Sequence, residues 1–195
     1  MNGRTANVER STNETVISVA VNLDGTGVGT IDTGIGFLDH MIVAMARHGR
    51  IDIELSCNGD LDVDDHHTAE DCALALGSAI DQALGERRGI ARFGSVYAPM
   101  DEALGRAAID LSGRPCPVVD LRLVRESIGA IACENITHFF QSLAISLRAS
   151  MHIDVLRGSN DHHKAEAAFK ATGMALRAAV ARTGEDRIPS TKGVL

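Results

Sequence analysis

Two short runs carry side chains with the types and spacing of metal ligands: His66-His67-x-x-Glu70 and His162-His163-x-x-Glu166, 96 positions apart. On a helix, residues three or four apart share a face, so Glu70 can join either His66 or His67, and Glu166 either His162 or His163. Adjacent histidines diverge by about 100° around the helix axis, which places them to reach two ions better than to grip one. A further pair, His40 and His138, recurs 98 positions apart, with Met41, Met45 and Ala46 answered by Phe139, Leu143 and Ala144. Six histidines and two carboxylates divide into three histidines and one Glu for each of two ions. Two positions then stay open on an octahedral metal, which suits catalytic Mn(II) or Fe(II) better than closed structural zinc. Clustering four histidines at paired helix starts is costly without a ligand to hold them. His48 and His152, taken singly, read as ordinary surface or core side chains.

The elements that must position these residues are legible as alternating patterns. Ile17, Val19, Val21 and Leu23 alternate with Val16, Ser18, Ala20 and Asn22, the period of a half-buried strand. Asp24-Gly25 reads as a hairpin turn into a second strand near residues 28–33. Phe37, Met41, Met45 and His48 then recur at helical spacing, with Gly49 placed to end the helix. Ile51, Ile53 and Leu55 give a third strand, and Asp64 or Asp65 caps an Ala- and Leu-rich helix. The order repeats in the second half, with strands near 107–111 and 118–124, a helix over 135–148, a strand over 151–156 and a helix from Asp161. The expectation is an α+β unit of two duplicated half-domains, residues 1–92 and 93–195, with helices packed between two mostly antiparallel sheets. Gly25-Thr26-Gly27-Val28-Gly29 has the look of a nucleotide loop, but no helix opens directly after it, so a turn is the better reading.

Composition narrows the function. A chain of 195 residues with 45% hydrophobic and 23% charged content fits a globular protein. No stretch approaches the roughly 18 continuous apolar residues of a membrane span, and residues 1–15 have no apolar core of a signal peptide, so a cytoplasmic protein is expected. A formal charge of -7, one Tyr and no Trp disfavour nucleic acid. Cys57, Cys72, Cys116 and Cys133 lack CxxC spacing, so they read as reduced, mostly buried thiols.

The runs Gly36-Phe37-Leu38-Asp39-His40-Met41, Asp64-Asp65-His66-His67-Thr68-Ala69-Glu70-Asp71 and Asn160-Asp161-His162-His163-Lys164-Ala165-Glu166 resemble the signature segments of the imidazoleglycerol-phosphate dehydratase family. The resemblance extends to Arg92-Phe93-Gly94, Asp101-Glu102-Ala103-Leu104, Ser112-Gly113-Arg114-Pro115 and the closing 189–195. It implies a ribosomal S5 domain 2-like fold and a histidine-biosynthesis lyase that takes water from imidazoleglycerol phosphate to give imidazole-acetol phosphate. It further implies two Mn(II) ions per active site, bridged by a deprotonated substrate imidazole, with no organic cofactor. His40, His66, His67, Glu70, His138, His162, His163 and Glu166 would be the ligands. Glu14 would be the acid/base group outside the metal shell, and His48 a second catalytic residue in contact with the substrate. Arg92, Arg114, Lys170, Ser190 and Lys192 would bind the substrate phosphate. The family's assembly implies a homo-oligomer of 24 subunits with metal sites completed between subunits. One departure stands out: Val43-Ala44 occupies the place of a polar Asp-Gln pair found in many relatives, which removes a side-chain contact but no ligand. A dinuclear hydrolase or a metal-storage protein fits less well. The first favours more bridging carboxylates than two, and the second leaves the Arg and Lys residues unexplained.

Overall fold

The computed structural model describes residues 3–193 and 195. The first part of the chain forms β1 (Thr5–Ser11), β2 (Thr15–Asn22), β3 (Gly29–Asp32), α1 (Gly36–Gly49), β4 (Asp52–Gly59) and α2 (His66–Leu84). The second forms β5 (Phe93–Met100), β6 (Ala103–Asp110), β7 (Cys116–Asp120), the short hairpin β8 (Ser127–Ile128) and β9 (Ile131–Ala132), α3 (Cys133–Leu147), β10 (Ser150–Arg157) and α4 (Asp161–Ala179). Each part builds a four-stranded sheet, ordered β1-β2-β4-β3 and β5-β6-β10-β7. In each, one edge strand runs parallel to its neighbour, β3 to β4 and β7 to β10, and the remaining pairs are antiparallel.

Alternation decides which face of each strand is buried. Ile17, Val19 and Val21 of β2, with Ile53 and Leu55 of β4, turn inward, as do Ala107 and Ile109 of β6 and Met151, Ile153 and Val155 of β10. The helices fill the space between the two sheets, α1 and α2 on the first and α3 and α4 on the second. They meet across that space in crossed pairs, α1 against α4 and α2 against α3. Phe139, Phe140 and Phe169 form a fully buried aromatic knot at the centre, with ring centroids 4.4–5.8 Å apart. Each such ring removed from water contributes about 1.5–3 kcal/mol to folding.

Two expectations from sequence fail here, for physical reasons. Asp24-Gly25 does not close a hairpin, and β3 lies at the far edge of the sheet, parallel to β4. The Asp52 carboxylate accepts the backbone N–H groups of Thr26, Gly27 and Val28 at 2.8–2.9 Å, and this cradle carries the chain over β4. The glycine-rich loop thus does hold an anion, but the anion is a side chain of its own fold. The real hairpin joins β1 to β2. β1 escaped notice because its inward face is Ala6, Val8 and Arg10, with Arg10 paired to buried Asp71 at 2.6 Å rather than to an apolar neighbour. β5 was missed as well, because its large apolar residues Phe93 and Tyr97 face outward. The expectation of mostly buried thiols also needs adjusting: all four cysteines are free, Cys72 and Cys133 are buried, Cys57 is half-buried and Cys116 is exposed. Among the described residues, no helix is long and apolar enough to cross a membrane.

Candidate metal centre

The crossed helix pairs create two matching groups of nitrogen and carboxylate donors. His66 and Glu70 of α2 meet His138 of α3, with Glu70 lying 3.5 Å from the Nε2 of each histidine and the two rings stacked at 4.9 Å. His162 and Glu166 of α4 meet His40 of α1, with the Glu166 Oε2 lying 3.3 Å from His162 and 3.7 Å from His40. In each group the donor atoms lie within 4.8 Å of one another. Neither sheet's helices assemble a group alone. Each group takes His and Glu from the longer helix on one sheet and one His from the shorter helix on the other.

The donors fit a first-row divalent cation. The His138 Nε2 is buried and has no hydrogen-bond partner, a costly arrangement for a ring nitrogen unless something electrophilic faces it. Imidazole nitrogen with carboxylate oxygen suits Mn(II), Fe(II) or Zn(II) by ligand type. Around His66 the hydrogen-bond chain also fixes which nitrogen is offered. The Asn135 Nδ2 donates to the Asp65 carboxylate at 3.0 Å, so its Oδ1 must face the His66 Nδ1, 3.0 Å away. That nitrogen therefore carries the proton, and Nε2 presents a lone pair to the group.

Local sequence explains where the donors stand. At the start of α2, Asp64 Oδ1 accepts the His66 N–H at 2.9 Å, while Asp65 turns away to the Ala132 N–H and Asn135. Asp64 therefore makes the capping bond, and Asp65 ties the helix start to α3. At the start of α4, Asn160 Oδ1 accepts the His162 N–H at 3.0 Å. Asp161 takes the N–H groups of Val124 and Arg125 at 2.7–2.8 Å and pairs with Lys164. The Phe37 ring meets the His162 ring edge-on at 5.1 Å, closing one side of the second group.

The second histidine of each tandem pair joins neither group. His67 donates its Nδ1–H to Asp60 at 3.0 Å and shows its Nε2 to Glu14 at 3.6 Å. His163 donates its Nδ1–H to Glu102 at 2.7 Å and shows its Nε2 to Asp101 at 3.7 Å. Donation to the Asp60 and Glu102 carboxylates raises both imidazole pKa values above the ordinary value. His163, with the backbone N–H groups of Asn160 and Ser159, holds Glu102 well below the usual carboxylate range. His48 is exposed, and partial burial together with nearby Lys170 lowers its pKa, which favours the neutral ring at pH 7. Burial opposes the charge on Glu166, but the Lys170 ammonium at 2.5 Å outweighs it and keeps the carboxylate ionised.

The residues expected to bind phosphate divide into two places. Arg92 pairs with Asp110 at 2.7 Å and donates to the Pro189 carbonyl, beside Ser190, along a cleft of about 680 Å³ that also takes in Arg187 and Thr191. Arg114 and Lys192 are exposed, and Gly113 abuts Leu195, so the closing segment lies against the Arg114 turn as well. Lys170 stands apart, on α4 at the second donor group. Val43 packs its backbone against Gly29 and Ala44 is buried, so that stretch of α1 serves the β3 contact. His152 is exposed on β10, outside both groups. Sequence reasoning missed Asp60, Glu102 and Asn135. Of these, Glu102 lies in one of the runs that carry the resemblance, and Asn135 precedes His138 by three residues on one helix face.

The chain and its fold are similar to those of known proteins. A model of the imidazoleglycerol-phosphate dehydratase family matches residues 33–176. The chain is 55% identical to an imidazoleglycerol-phosphate dehydratase of Phaffia rhodozyma, with 98% of this chain and 96% of that protein covered. It is 57% identical to one of Phytophthora nicotianae, of which it spans 42%. The structure is similar to the solved dehydratase of Staphylococcus aureus, with a TM-score of 0.83, 32% identity and coverage of 92% of this chain and 99% of that one. It is also similar to that of Pyrococcus furiosus, with a TM-score of 0.80, 38% identity and coverage of 96% and 100%. The class so defined is the hydro-lyases, enzymes that break a carbon–oxygen bond to eliminate water. Within it, the chain belongs to the imidazoleglycerol-phosphate dehydratase family.

Proposed function

We propose that this chain dehydrates imidazoleglycerol phosphate to imidazole-acetol phosphate, using two Mn(II) ions per active site. The observation that carries the reading is the pair of matching donor groups, His66/Glu70/His138 and His40/His162/Glu166, with the orphaned His138 Nε2 in the first. Bound there, the ions would supply Lewis acidity to a substrate that carries its own imidazole ring.

The remaining work falls to the protein. Loss of hydroxide beside the ring and of a proton from the neighbouring carbon leaves an enol, which becomes the ketone. Glu14, half exposed and 3.6 Å from His67 Nε2, is the carboxylate we assign to that carbon-bound proton. His48, neutral near pH 7, serves as a second proton carrier beside Lys170. Arg92, Arg114, Ser190 and Lys192 line the closing segment and would hold the phosphate, and Lys170 would meet the substrate from the metal side.

His67 and His163 join neither donor group of their own chain, so we infer that each completes a metal site of a neighbouring subunit. A closed homo-oligomer of 24 copies, as the family resemblance implies, supplies such neighbours. The four free thiols fit a reducing compartment, the cytoplasm. The decisive experiment strips the metal, adds back Mn(II), and assays imidazoleglycerol phosphate for the ketone product while following particle size. Mn(II)-dependent ketone formation by large particles is the expected result, and no dehydration at any metal loading overturns the reading.

A further inference from the structure

The two sheets can be laid over one another element by element, and the carboxylates around His67 and His163 then fall in different places. β2 begins at Thr15 and β6 at Ala103, so Glu14 and Glu102 occupy the same position, directly before the second strand. β4 ends at Gly59 and β10 at Arg157, so Asp60 corresponds to Gly158, which has no side chain. A carboxylate at Gly158 is barred in any case. Its φ is +147°, and a Cβ there would stand 2.9 Å from the Ala103 Cβ and from the Lys164 side chain.

The consequence is visible at the rings. In the second half Glu102 must reach the His163 Nδ1, and it does so at 2.7 Å, while its other oxygen takes the N–H groups of Ser159 and Asn160 at 2.8–3.0 Å. In the first half Asp60 takes the His67 Nδ1 with both oxygens at 3.0–3.2 Å. Its backbone N–H also bonds to the Glu14 carbonyl at 3.1 Å. Glu14 is then released to the other side of the ring. A carboxylate can only accept, so each of these contacts fixes the proton on Nδ1 and leaves Nε2 as the sole lone pair.

We propose that Asp60 and Glu102 are positioning residues that aim the Nε2 of His67 and His163 at a metal, and that Asp60, by taking this task in the first half, frees Glu14 for the substrate. The inference rests on the metal reading given above, and it adds two residues and a division of labour to it. Neither Asp60 nor Glu102 touches a donor group of its own chain. Their effect passes through the ring each one holds.

The test titrates Mn(II) into the stripped full-length chain, following bound metal by the loss of the free-ion paramagnetic signal. Native protein is compared with Asp60→Ala, Glu102→Ala, Asp60→Asn, Glu102→Gln and Glu14→Gln. The alanine variants are expected to bind Mn(II) about 10–100-fold more weakly, with metal-free melting temperatures close to native. Asp60→Asn, whose oxygen still accepts from Nδ1–H, should recover most of that loss, whereas Glu102→Gln has one oxygen for either His163 or the Ser159 and Asn160 N–H groups and should recover only part. Glu14→Gln should bind Mn(II) as the native chain does and lose turnover instead. Alanine variants with native affinity, or Asp60→Asn no better than Asp60→Ala, overturn the positioning role. Glu14→Gln losing metal as Asp60→Ala does overturns the division of labour. A native chain that takes up no Mn(II) defeats the metal reading itself, a result distinct from all of these.

Discussion

Gly49 and Gly173 face each other where α1 crosses α4: a Cβ on Gly49 would stand 3.0 Å from the Gly173 carbonyl oxygen, and one on Gly173 would stand 2.3 Å from the Met45 carbonyl oxygen. The α2–α3 crossing is built the same way, with Gly77 against Leu143, Ser146 and Leu147 of α3 at 2.8–2.9 Å. Gly77 and Gly173 each lie 11 residues after the first histidine of a tandem pair. Close backbone approach at these points brings His138 to Glu70 and His40 to Glu166.

A single methyl at either glycine should therefore push one helix pair apart. Gly173→Ala gains about 1 kcal/mol of helix propensity. The clash with Met45 outweighs that gain, for a net loss of about 1–3 kcal/mol. The expected outcome is a lower melting temperature and weaker metal binding at the His40/His162/Glu166 group, with the other group unchanged. Gly77→Ala should do the reverse. Metal titration and thermal unfolding of the two variants check this, and equal loss at both groups would count against it.

Lys164 and Asp161 form an ion pair with side chains only 7% and 1% exposed, 2.7 Å apart, and Lys164 also donates to the Arg122 carbonyl. Lys164→Met leaves a buried carboxylate with only the Val124 and Arg125 N–H groups to hold it. The expected cost is about 3 kcal/mol. Adding Asp161→Asn to it should recover part of the loss, because the uncompensated charge is then gone. Denaturant unfolding of the two single variants and the double variant measures this coupling.

The donors that the structure brings together, His40, His66, Glu70, His138, His162 and Glu166, were legible because tandem histidines with a carboxylate one turn on have few other uses, and because their recurrence fixed the second copy. The crossed pairing of α1 with α4 and α2 with α3 was not legible. It depends on glycines whose meaning appears only when another helix lies against them. Strands β2, β4, β6 and β10 were readable because one face is apolar. β1 hid its inward face behind the Arg10–Asp71 pair, and β5 turned Phe93 and Tyr97 outward. Asp60 looks like one more acid among the 26 in the chain, and its distance to an Nδ1 separates it from the rest; Glu102 lay in a run that resembles the family, but its contact with His163 was not readable there.

The pH dependence of stability should change sign with metal. In the metal-free chain, the hydrogen bonds that His67 and His163 donate to Asp60 and Glu102 raise their pKa values above the ordinary 6.5. A raised folded-state value means that the protonated form is favoured by folding. That stabilisation is complete below about pH 6.5 and is lost as pH climbs through the raised values. Bound metal needs deprotonated rings, so its stabilising effect should grow over the same interval. Melting curves from about pH 5.5 to pH 8.5, with and without Mn(II), should therefore diverge as pH rises. Parallel curves would show that these two histidines meet no metal.

Removing one carboxylate should separate the two donor groups. Glu70 bridges the nitrogens of His66 and His138, and Glu166 those of His162 and His40, so each is shared by two rings and by no residue of the other group. Glu70→Gln keeps the shape but removes the charge, and the expected outcome is loss of about one of two bound ions per chain with the other retained. Glu166→Gln should do the same at the second group and also leave Lys170 without its 2.5 Å partner. Because the proposed chemistry draws on both ions, either variant should lower kcat by about 100-fold or more, although half of the metal stays bound. Metal content by elemental analysis, set beside turnover of the same samples, decides the matter. If activity fell only in proportion to metal, each group would be working alone.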